Sequence, residues 1–342
     1  METKELLYDL PEELIAQKPL ERRSDSRLLV LYRRTGAIAH SRFEDLPRFL
    51  SAGDPVVTNN TRVMPARLLG SKIPTGGRVE ILLLRKEGER KWMALAHPGR
   101  RLHAGSQVRV HADGRAEITL TILEKAPNGE VVLDAPAGIQ DSDLFDAGHL
   151  PMPPYVKEEI PNPERYQTIF AKSDGSVAAP TASLHFDEEV LKTLSSNGVQ
   201  IAEITLTLGP TSFQPVKTKD VEAHRLQEEY CEVTVQAADQ INGTRNRGAR
   251  VIAVGTTVAR TLESRALNGM IQAGSATTGL FITPGYTFQA LDALVTNFHM
   301  PASTHLALVA AFAGLDQTKA AYRQAVAERY RFLSFGDAML IL

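Results

Sequence analysis

Two histidines lie in loops whose residues are small or polar. His185 ends the run Ala-Ala-Pro-Thr-Ala-Ser-Leu-His, and the acidic start of a predicted helix follows at Asp187. His299 ends the run Thr-Asn-Phe-His, which follows an apolar segment. Small residues let a ligand approach the backbone closely, and an imidazole can carry a proton near neutral pH. Proton transfer is therefore one interpretation of His185, and a structural histidine with internal hydrogen bonds is the other.

A short turn of glycine and threonine joins a predicted strand at 251–254 to a predicted helix at 258–267. This turn, Gly255-Thr256-Thr257, has the layout in which α/β folds present backbone N–H groups to an anion. It is neither a phosphate-binding loop ending in Gly-Lys-Ser/Thr nor a full dinucleotide fingerprint. Asn297 follows its own predicted strand in the same way. Because ligands of open α/β sheets bind beyond the carboxyl ends of strands, both loops are expected at a binding edge.

The run Asn59-Asn60-Thr61-Arg62 follows a β-branched strand. Side chains of this kind hydrogen-bond their own backbone and hold a turn. The two amides and Arg62 could also face a ligand. From these residues alone, a capped strand end is the preferred interpretation.

Two groups of arginines could contact the phosphates of a nucleic acid. Arg22 and Arg23 precede a predicted strand at 28–32, and Arg100 and Arg101 lie in the loop 97–103. Arginine recognises phosphate through paired hydrogen bonds, although solvated surface arginines are as good an interpretation of either group. The net charge of −2 argues against a globally basic nucleic-acid binder but not against a local basic patch.

The pattern of strands and helices changes along the chain. Five short β-rich runs between residues 67 and 133, with hairpin signals at Asp113-Gly114 and Asn128-Gly129, predict a small barrel or sandwich. Closely spaced prolines at 151–161 predict an extended crossing between domains. Farther on, strands alternate with helices predicted at 187–196, 233–244, 258–267, 305–313 and 317–330, which indicates a layered α/β domain.

Composition narrows the class of protein. A chain of 342 residues is long enough for two domains. Cys231 is the only cysteine, which excludes a disulfide within the chain and favours a reducing, cytoplasmic setting. The first residues lack the pattern of a signal peptide, and the most apolar stretch, 306–313, is far shorter than the roughly 20 residues of a membrane span. No cluster has the spacing of metal ligands, so we expect no metal.

Several segments form an ordered set that is specific as a whole, although none of them is decisive alone. They include Asn-Asn-Thr-Arg-Val-Met-Pro-Ala-Arg-Leu at 59–68, Pro-Met-Pro-Pro-Tyr at 151–155, Ala-Ala-Pro-Thr-Ala at 178–182, Gly-Thr-Thr at 255–257, Thr-Asn-Phe-His at 296–299 and Phe-Gly-Asp-Ala-Met at 335–339. Through these segments the chain resembles the S-adenosylmethionine:tRNA ribosyltransferase-isomerase family of queuosine biosynthesis. The resemblance implies an α/β domain built from residues 1–65 and 150–342, with a small β-barrel inserted at 66–149.

The resemblance also implies a reaction. The ribosyl part of S-adenosylmethionine is transferred and isomerised onto the aminomethyl group of a deazaguanine at the tRNA wobble position, which gives epoxyqueuosine and releases adenine and methionine. Such chemistry needs a base for the attacking amine, a base for a proton beside the sulfonium, an acid for the departing adenine, and anchors for a carboxylate and for phosphates. S-Adenosylmethionine is a substrate here, and we expect no prosthetic group.

The resemblance also suggests a role for each candidate residue. His185 and His299 are the candidates for proton transfer. Arg62 or the Thr256-Thr257 helix start could anchor an anion. We expect a cytoplasmic monomer that binds a tRNA with a modified wobble guanine. The expected substrate-binding residues are Asn59, Asn60, Arg62, Thr181, Ser183, Gly255, Thr256, Thr257 and Asn297, and the expected tRNA-binding residues are Arg22, Arg23, Arg100 and Arg101.

The chain departs from the family pattern at several positions. Thr207 and Gln227 stand where the pattern has histidines, Ser183 replaces a usual glycine, and Val258-Ala259 stand where a serine is common. A second departure lies in Pro210-Thr211-Ser212-Phe213. These differences keep open an alternative, a related protein that binds S-adenosylmethionine or tRNA without catalysis or with altered specificity. A methyltransferase is less favoured, because a glycine-rich loop after the first strand is absent.

Overall fold

The computed structural model describes residues 1–111, 116–158, 160–210 and 215–342. The hairpin signal at Asp113-Gly114 and the departure at Thr211-Ser212-Phe213 lie outside these residues. The chain divides into two compact units. The larger comprises Met1–Arg62, Pro153–Ser173 and Ala179–Leu342, and the smaller comprises Val63–Met152 and Asp174–Ala178.

The strands are numbered in chain order. They are β1 Arg27–Tyr32, β2 Ala37–Arg42, β3 Pro55–Asn59, β4 Thr61–Val63, β5 Arg67–Ile73, β6 Arg78–Lys86, β7 Lys91–His97, β8 Gln107–Val110, β9 Ile118–Lys125, β10 Glu130–Asp134, β11 Ser173–Ser176, β12 Gln200–Leu206, β13 Glu229–Val233, β14 Ile252–Val254, β15 Ala266–Leu267, β16 Met270–Ile271, β17 Gly274–Thr278, β18 Ala293–Asn297 and β19 Ala338–Ile341.

The α-helices are α1 Asp141–Asp146, α2 Glu188–Ser196, α3 Val235–Asn246, α4 Thr256–Arg265, α5 Thr304–Ala313 and α6 Leu315–Ala327. Short 3₁₀ helices are found at Thr3–Leu6, Glu12–Leu14, Arg23–Asp25, Phe43–Phe49, Gly99–Arg101, Pro163–Tyr166, Thr181–His185 and Val221–Ala223. In α2, Asp187 caps the first turn by accepting a hydrogen bond from the backbone of Val190 at 3.0 Å.

The larger unit contains a mixed sheet in the order β17-β13-β12-β3-β14-β18-β19-β1-β2. Strands β12, β3, β14 and β18 run parallel to their neighbours in this set, so their carboxyl ends meet at one edge. The central strands are fully buried, as expected for a sheet covered on both faces. Phe43, Phe186 and Leu194 belong to the apolar core packed against it.

The smaller unit is a closed barrel in the order β10-β7-β6-β5-β8-β9. Its strands alternate buried and less buried residues, as in β9, and the buried set fills the interior. This architecture confirms the predicted fold class, an α/β domain with a β-barrel. The barrel includes β5, which was not among the five predicted strands, and the predicted helix at 233–244 begins later, because Val233 ends β13.

Candidate functional site

A cavity of about 370 Å³ lies in the larger unit at the carboxyl edge of the parallel strands. Its wall contains the turn after β14 and the loop after β18, represented by Gly255 and Asn297. Thr181 enters the wall from the 3₁₀ helix Thr181–His185. Ligand pockets have volumes of roughly 300–1,000 Å³, so this cavity is large enough for a small molecule. The prediction that both loops lie at one binding edge agrees with this geometry.

Asn297 is held rigidly at the cavity wall. Its side-chain Nδ2 donates to the backbone oxygen of Leu333 at 3.0 Å and contacts His185 Nε2 at 3.2 Å. Its Oδ1 accepts a hydrogen bond from the hydroxyl of Thr181 at 3.2 Å. With both ends of the amide engaged, the orientation of Asn297 is fixed before a ligand arrives.

His185 does not line this cavity. Its Nδ1 lies 2.7 Å from the hydroxyl of Ser26, its Nε2 meets Asn297, and its ring stacks on Phe43 with centroids 5.1 Å apart. Burial lowers the pKa of His185 to about 3, and the positive charges of Arg331 and Arg23 act in the same direction. A neutral imidazole with both nitrogens bonded within the protein positions Asn297, and this placement argues against His185 as a proton-transfer residue.

His299 does line the cavity, as expected from its loop. Its Nε2 lies 2.7 Å from the hydroxyl of Thr296, and its backbone N–H donates to the hydroxyl of Tyr322 at 3.1 Å. The imidazole of His305, on the first turn of α5, stacks on that of His299 with centroids 5.1 Å apart and planes inclined by 21°. Burial lowers the pKa of His299 well below its usual value, and His305 lowers it further.

The turn before α4 presents the start of that helix to the cavity. Gly255, Thr256 and Thr257 all line it. Gly255 has φ +91°, a conformation that favours glycine, and a Cβ there would lie 3.5 Å from Ala182. The first N–H groups of an α-helix have no acceptor within the helix and carry partial positive charge, so this edge of the cavity suits an anion.

The Asn59–Arg62 segment does not reach the cavity. Asn59 joins the ends of neighbouring strands, because its amide donates to the oxygen of Leu206 at 3.0 Å and accepts from its N–H at 3.0 Å. Asn60 Oδ1 accepts a hydrogen bond from Thr205 at 2.8 Å. Arg62 pairs with Glu164 at 3.1 Å. Asn59 still acts on the site indirectly, since its Nδ2 lies 3.5 Å from the Thr257 hydroxyl.

Ser183 is fully buried beside the cavity wall, but it does not line the cavity. Its backbone N–H donates to the oxygen of Pro180 at 2.9 Å. Its hydroxyl has no hydrogen-bond partner among the described residues. Burial of this hydroxyl therefore costs the free energy of its hydrogen bonds to water, and no hydrogen bond within the protein offsets that cost.

The arginines expected to bind tRNA differ in their surroundings. Arg22 lies among carboxylates, with Glu189 at 2.8 Å and Glu44 at 3.1 Å. Arg23 points inward and donates to the backbone oxygens of Gln167 and Leu184 at 2.8 and 3.2 Å. These contacts argue against Arg22 and Arg23 as phosphate ligands. Arg100 and Arg101 are exposed on the barrel.

Several side chains of the cavity wall were not predicted as site residues, among them Tyr155, Ser334 and His305. Tyr155 lines it with Ser334, and their hydroxyls lie 2.6 Å apart. The proline-rich run at 151–161 predicted an extended crossing between domains and not a ligand site. His305 was placed only at the start of a helix, and its distance from His299 is a property of the tertiary fold.

No helix in the described parts of the chain is long and apolar enough to cross a membrane. Among the same residues, no group of three or more His, Cys, Asp or Glu side chains could hold a metal ion.

Comparison with known proteins gives matches over nearly the whole chain. The sequence model of a family described as queuosine biosynthesis protein matches residues 3–341. An S-adenosylmethionine:tRNA ribosyltransferase-isomerase from Symbiobacterium thermophilum is 50% identical over 337 residues, which cover 98% of each chain. A protein of the same name from Carboxydothermus hydrogenoformans is 48% identical over 342 residues, which cover 100% of each chain. The crystal structure of an S-adenosylmethionine tRNA ribosyltransferase from Thermotoga maritima matches with a TM-score of 0.58 and 37% identity, covering 99% of this chain and 100% of that one.

Proposed function

Because the chain belongs to the queuosine biosynthesis protein family, we propose that it is an S-adenosylmethionine:tRNA ribosyltransferase-isomerase. It transfers and isomerises the ribosyl moiety of S-adenosylmethionine onto the aminomethyl-deazaguanine at the tRNA wobble position. Adenine and methionine leave, and the tRNA carries epoxyqueuosine. The observation that supports this assignment best is the cavity at the carboxyl edge of the sheet, walled by the loops of Gly255, Asn297 and His299.

S-Adenosylmethionine occupies this cavity. The start of α4, with Gly255, Thr256 and Thr257, faces the methionine carboxylate, because N–H groups and the helix dipole favour an anion there. Thr181 and the fixed amide of Asn297 supply hydrogen bonds to the ribosyl part. Arg62, paired with Glu164, has no part in this anchor.

The barrel supplies a basic surface for tRNA. Arg100 and Arg101 lie on the 3₁₀ helix Gly99–Arg101, and two lysines hold that turn from either side. Lys72 Nζ donates to the oxygen of Arg101 at 2.5 Å, and Lys125 Nζ donates to that of Gly99 at 2.6 Å. Two arginines in this exposed turn and two lysines on the strands beside it thus gather four positive groups, and such a group attracts phosphates.

The activity is tested by incubating the protein with S-adenosylmethionine and tRNA that carries the aminomethyl-deazaguanine, with adenine release followed by chromatography. We expect each turnover to release one adenine and one methionine and to produce one modified base in the tRNA. Unmodified tRNA is the control and should give no adenine. Binding of S-adenosylmethionine with no adenine above background would overturn the enzymatic assignment and favour the binding-only alternative.

The tRNA surface is tested separately by filter binding over a range of salt concentrations. The double variant Arg100→Ala/Arg101→Ala should weaken tRNA binding and reduce the slope of log affinity against log salt by about one for each lost phosphate contact. Arg48→Ala is the control, since Arg48 is 80% exposed and pairs with Asp45 in the larger unit. Equal salt slopes for the double variant and the control would remove the barrel turn from the tRNA surface.

A further inference from the structure

The cavity contains a pair of stacked imidazoles. His299 comes from the loop after β18, and His305 comes from the first turn of α5, which is capped where the Ser303 hydroxyl accepts a hydrogen bond from Leu306 at 3.2 Å. Both rings line the cavity, and their centroids are 5.1 Å apart. The loop after β18 and the start of α5, which follows it in the chain, thus bring two imidazoles to one ligand surface.

Their polar neighbours come from several packed elements. On the side of His299, the hydroxyls of Tyr8 and Tyr322 bond its backbone oxygen and N–H, and Thr296 contacts Nε2. This leaves Nδ1 of His299 without a hydrogen-bond partner among the described residues.

On the other side, His305 also borders a narrow cleft that contains Gln227, Arg260 and Glu229. Arg260 and Glu229 form a buried ion pair, whose side chains are 10% and 5% exposed. The Arg260 charge lowers the pKa of His305 and the Glu229 charge raises it, while burial is the main cause of its value of about 4. His305 therefore lies between the substrate cavity and a fixed pair of charges.

We propose that His305 is a second proton-transfer residue, which works with His299 to carry one proton from the ribosyl group to the departing adenine. This inference rests on the proposed function. The imidazole pair accepts the proton from the carbon beside the sulfonium, and the electron pair of the broken C–H bond stays on that carbon. Adenine later leaves with the electron pair of its bond to the ribosyl carbon and receives the same proton on nitrogen, while the pair left by the C–H bond moves within the ribosyl group to make up the pair that this carbon loses. The pair ends the cycle neutral.

The stacked geometry suits this task. Two positive charges at this separation repel each other, so the pair holds one proton at a time and titrates as a unit. Burial makes the protonated state unfavourable, so a proton taken early is readily given up to the leaving group. One neutral pair can therefore act first as the base and then as the acid.

The test measures adenine release by His305→Gln between pH 5 and pH 9. We expect kcat to fall by about 100-fold or more, the usual range for loss of a positioned proton-transfer group, while KM for S-adenosylmethionine stays unchanged. The kcat profile should stay flat over this range in both proteins, because both rings are neutral there, and a fall in kcat at an unchanged KM distinguishes proton transfer from a loss of packing. His111→Gln, at an exposed histidine of the barrel, is the control and should behave as wild type.

An imidazole titration by NMR decides the point independently of turnover. In the wild type, His299 and His305 should show coupled titration, and in His305→Gln the pKa of His299 should rise because the neighbouring charge is removed. If His305→Gln fails to fold, the wild-type titration alone decides, and independent titration of the two rings overturns the proposal. If the wild type is active and His305→Gln has the same kcat, only the role of His305 is overturned. Absence of wild-type turnover overturns the proposed function itself.

Discussion

Both ring nitrogens of His185 are engaged by the protein, Nδ1 by Ser26 and Nε2 by Asn297. A group in this position affects the reaction through the Asn297 amide at the cavity wall. In His185→Gln we therefore expect slower adenine release with an unchanged shape of the pH–rate profile, because a residue with a pKa of about 3 stays neutral over the working range. Loss of an ionisation from the profile would instead identify His185 as a proton-transfer residue. Ser26→Ala, on the far side of the ring, should have a smaller effect.

Ser183 offers a second test at the level of one atom. Its buried hydroxyl has no hydrogen-bond partner among the described residues, so Ser183→Ala removes a polar group that burial penalises. We expect the free energy of unfolding in urea to rise by about 1 kcal/mol or more, at the lower end of the cost of a buried unsatisfied group. Ser26→Ala is the matched control, since it removes a bonded hydroxyl and should lower that free energy. A destabilised Ser183→Ala would mean that its hydroxyl has a partner in solution.

Among the structural elements, the turn before α4 combines a conformational requirement with a ligand surface. Gly255→Ala places a side chain at φ +91°, 3.5 Å from Ala182, so stability should fall by about 1 kcal/mol or more and KM for S-adenosylmethionine should rise. Gly248→Ala is a matched control, because φ is +76° there with no atom within 4 Å of the added Cβ. Both variants should lose stability, but only Gly255→Ala should lose affinity for the substrate. Equal KM values would show that the turn does not contact the ligand.

The elements that could be predicted from the sequence are those with local signals. The Gly-Thr-Thr turn predicted a helix start, and the structure begins α4 at Thr256. Elements that depend on tertiary contacts are harder to predict from the sequence. The local pattern predicts Val233 in a helix, but Val233 ends a strand of the sheet.

The same limit applies to the candidate site. The loops of His185 and His299 are alike in composition, yet one ring is enclosed by Ser26, Phe43 and Asn297 and the other lines the cavity. Arg22 is neutralised by Glu44 and Glu189. These partners come from distant parts of the chain, so no local pattern distinguishes a structural histidine from one that meets substrate, or a paired arginine from a free one.

At the scale of the whole molecule, three histidines of the larger unit, one buried and two partly exposed at the cavity wall, link its stability to pH. The pKa of His185 is lowered to about 3, that of His305 to about 4, and that of His299 well below its usual value. Unfolding restores pKa values near 6.5, so between pH 6.5 and about 4 the unfolded chain binds more protons than the folded one. Stability is therefore full above pH 6.5 and falls as the pH decreases, by up to about 1.4 kcal/mol per pH unit for each histidine.

The two units allow this loss to be measured with an internal control. Of the six α-helices in the described residues, five lie in the larger unit, so far-UV circular dichroism in urea follows that unit. Fluorescence of Trp92, the only tryptophan of the sequence, follows the barrel. From pH 6.5 to pH 5 we expect the free energy of unfolding followed by circular dichroism to fall steeply. The free energy followed by Trp92 fluorescence should change little, because the histidines of the barrel are exposed. These are His97, His103, His111 and His149. His185→Gln and His305→Gln should each reduce the slope of the unfolding free energy against pH by an amount that corresponds to about one bound proton. A slope that neither variant changes would mean that these histidines are protonated in the folded protein at pH 5.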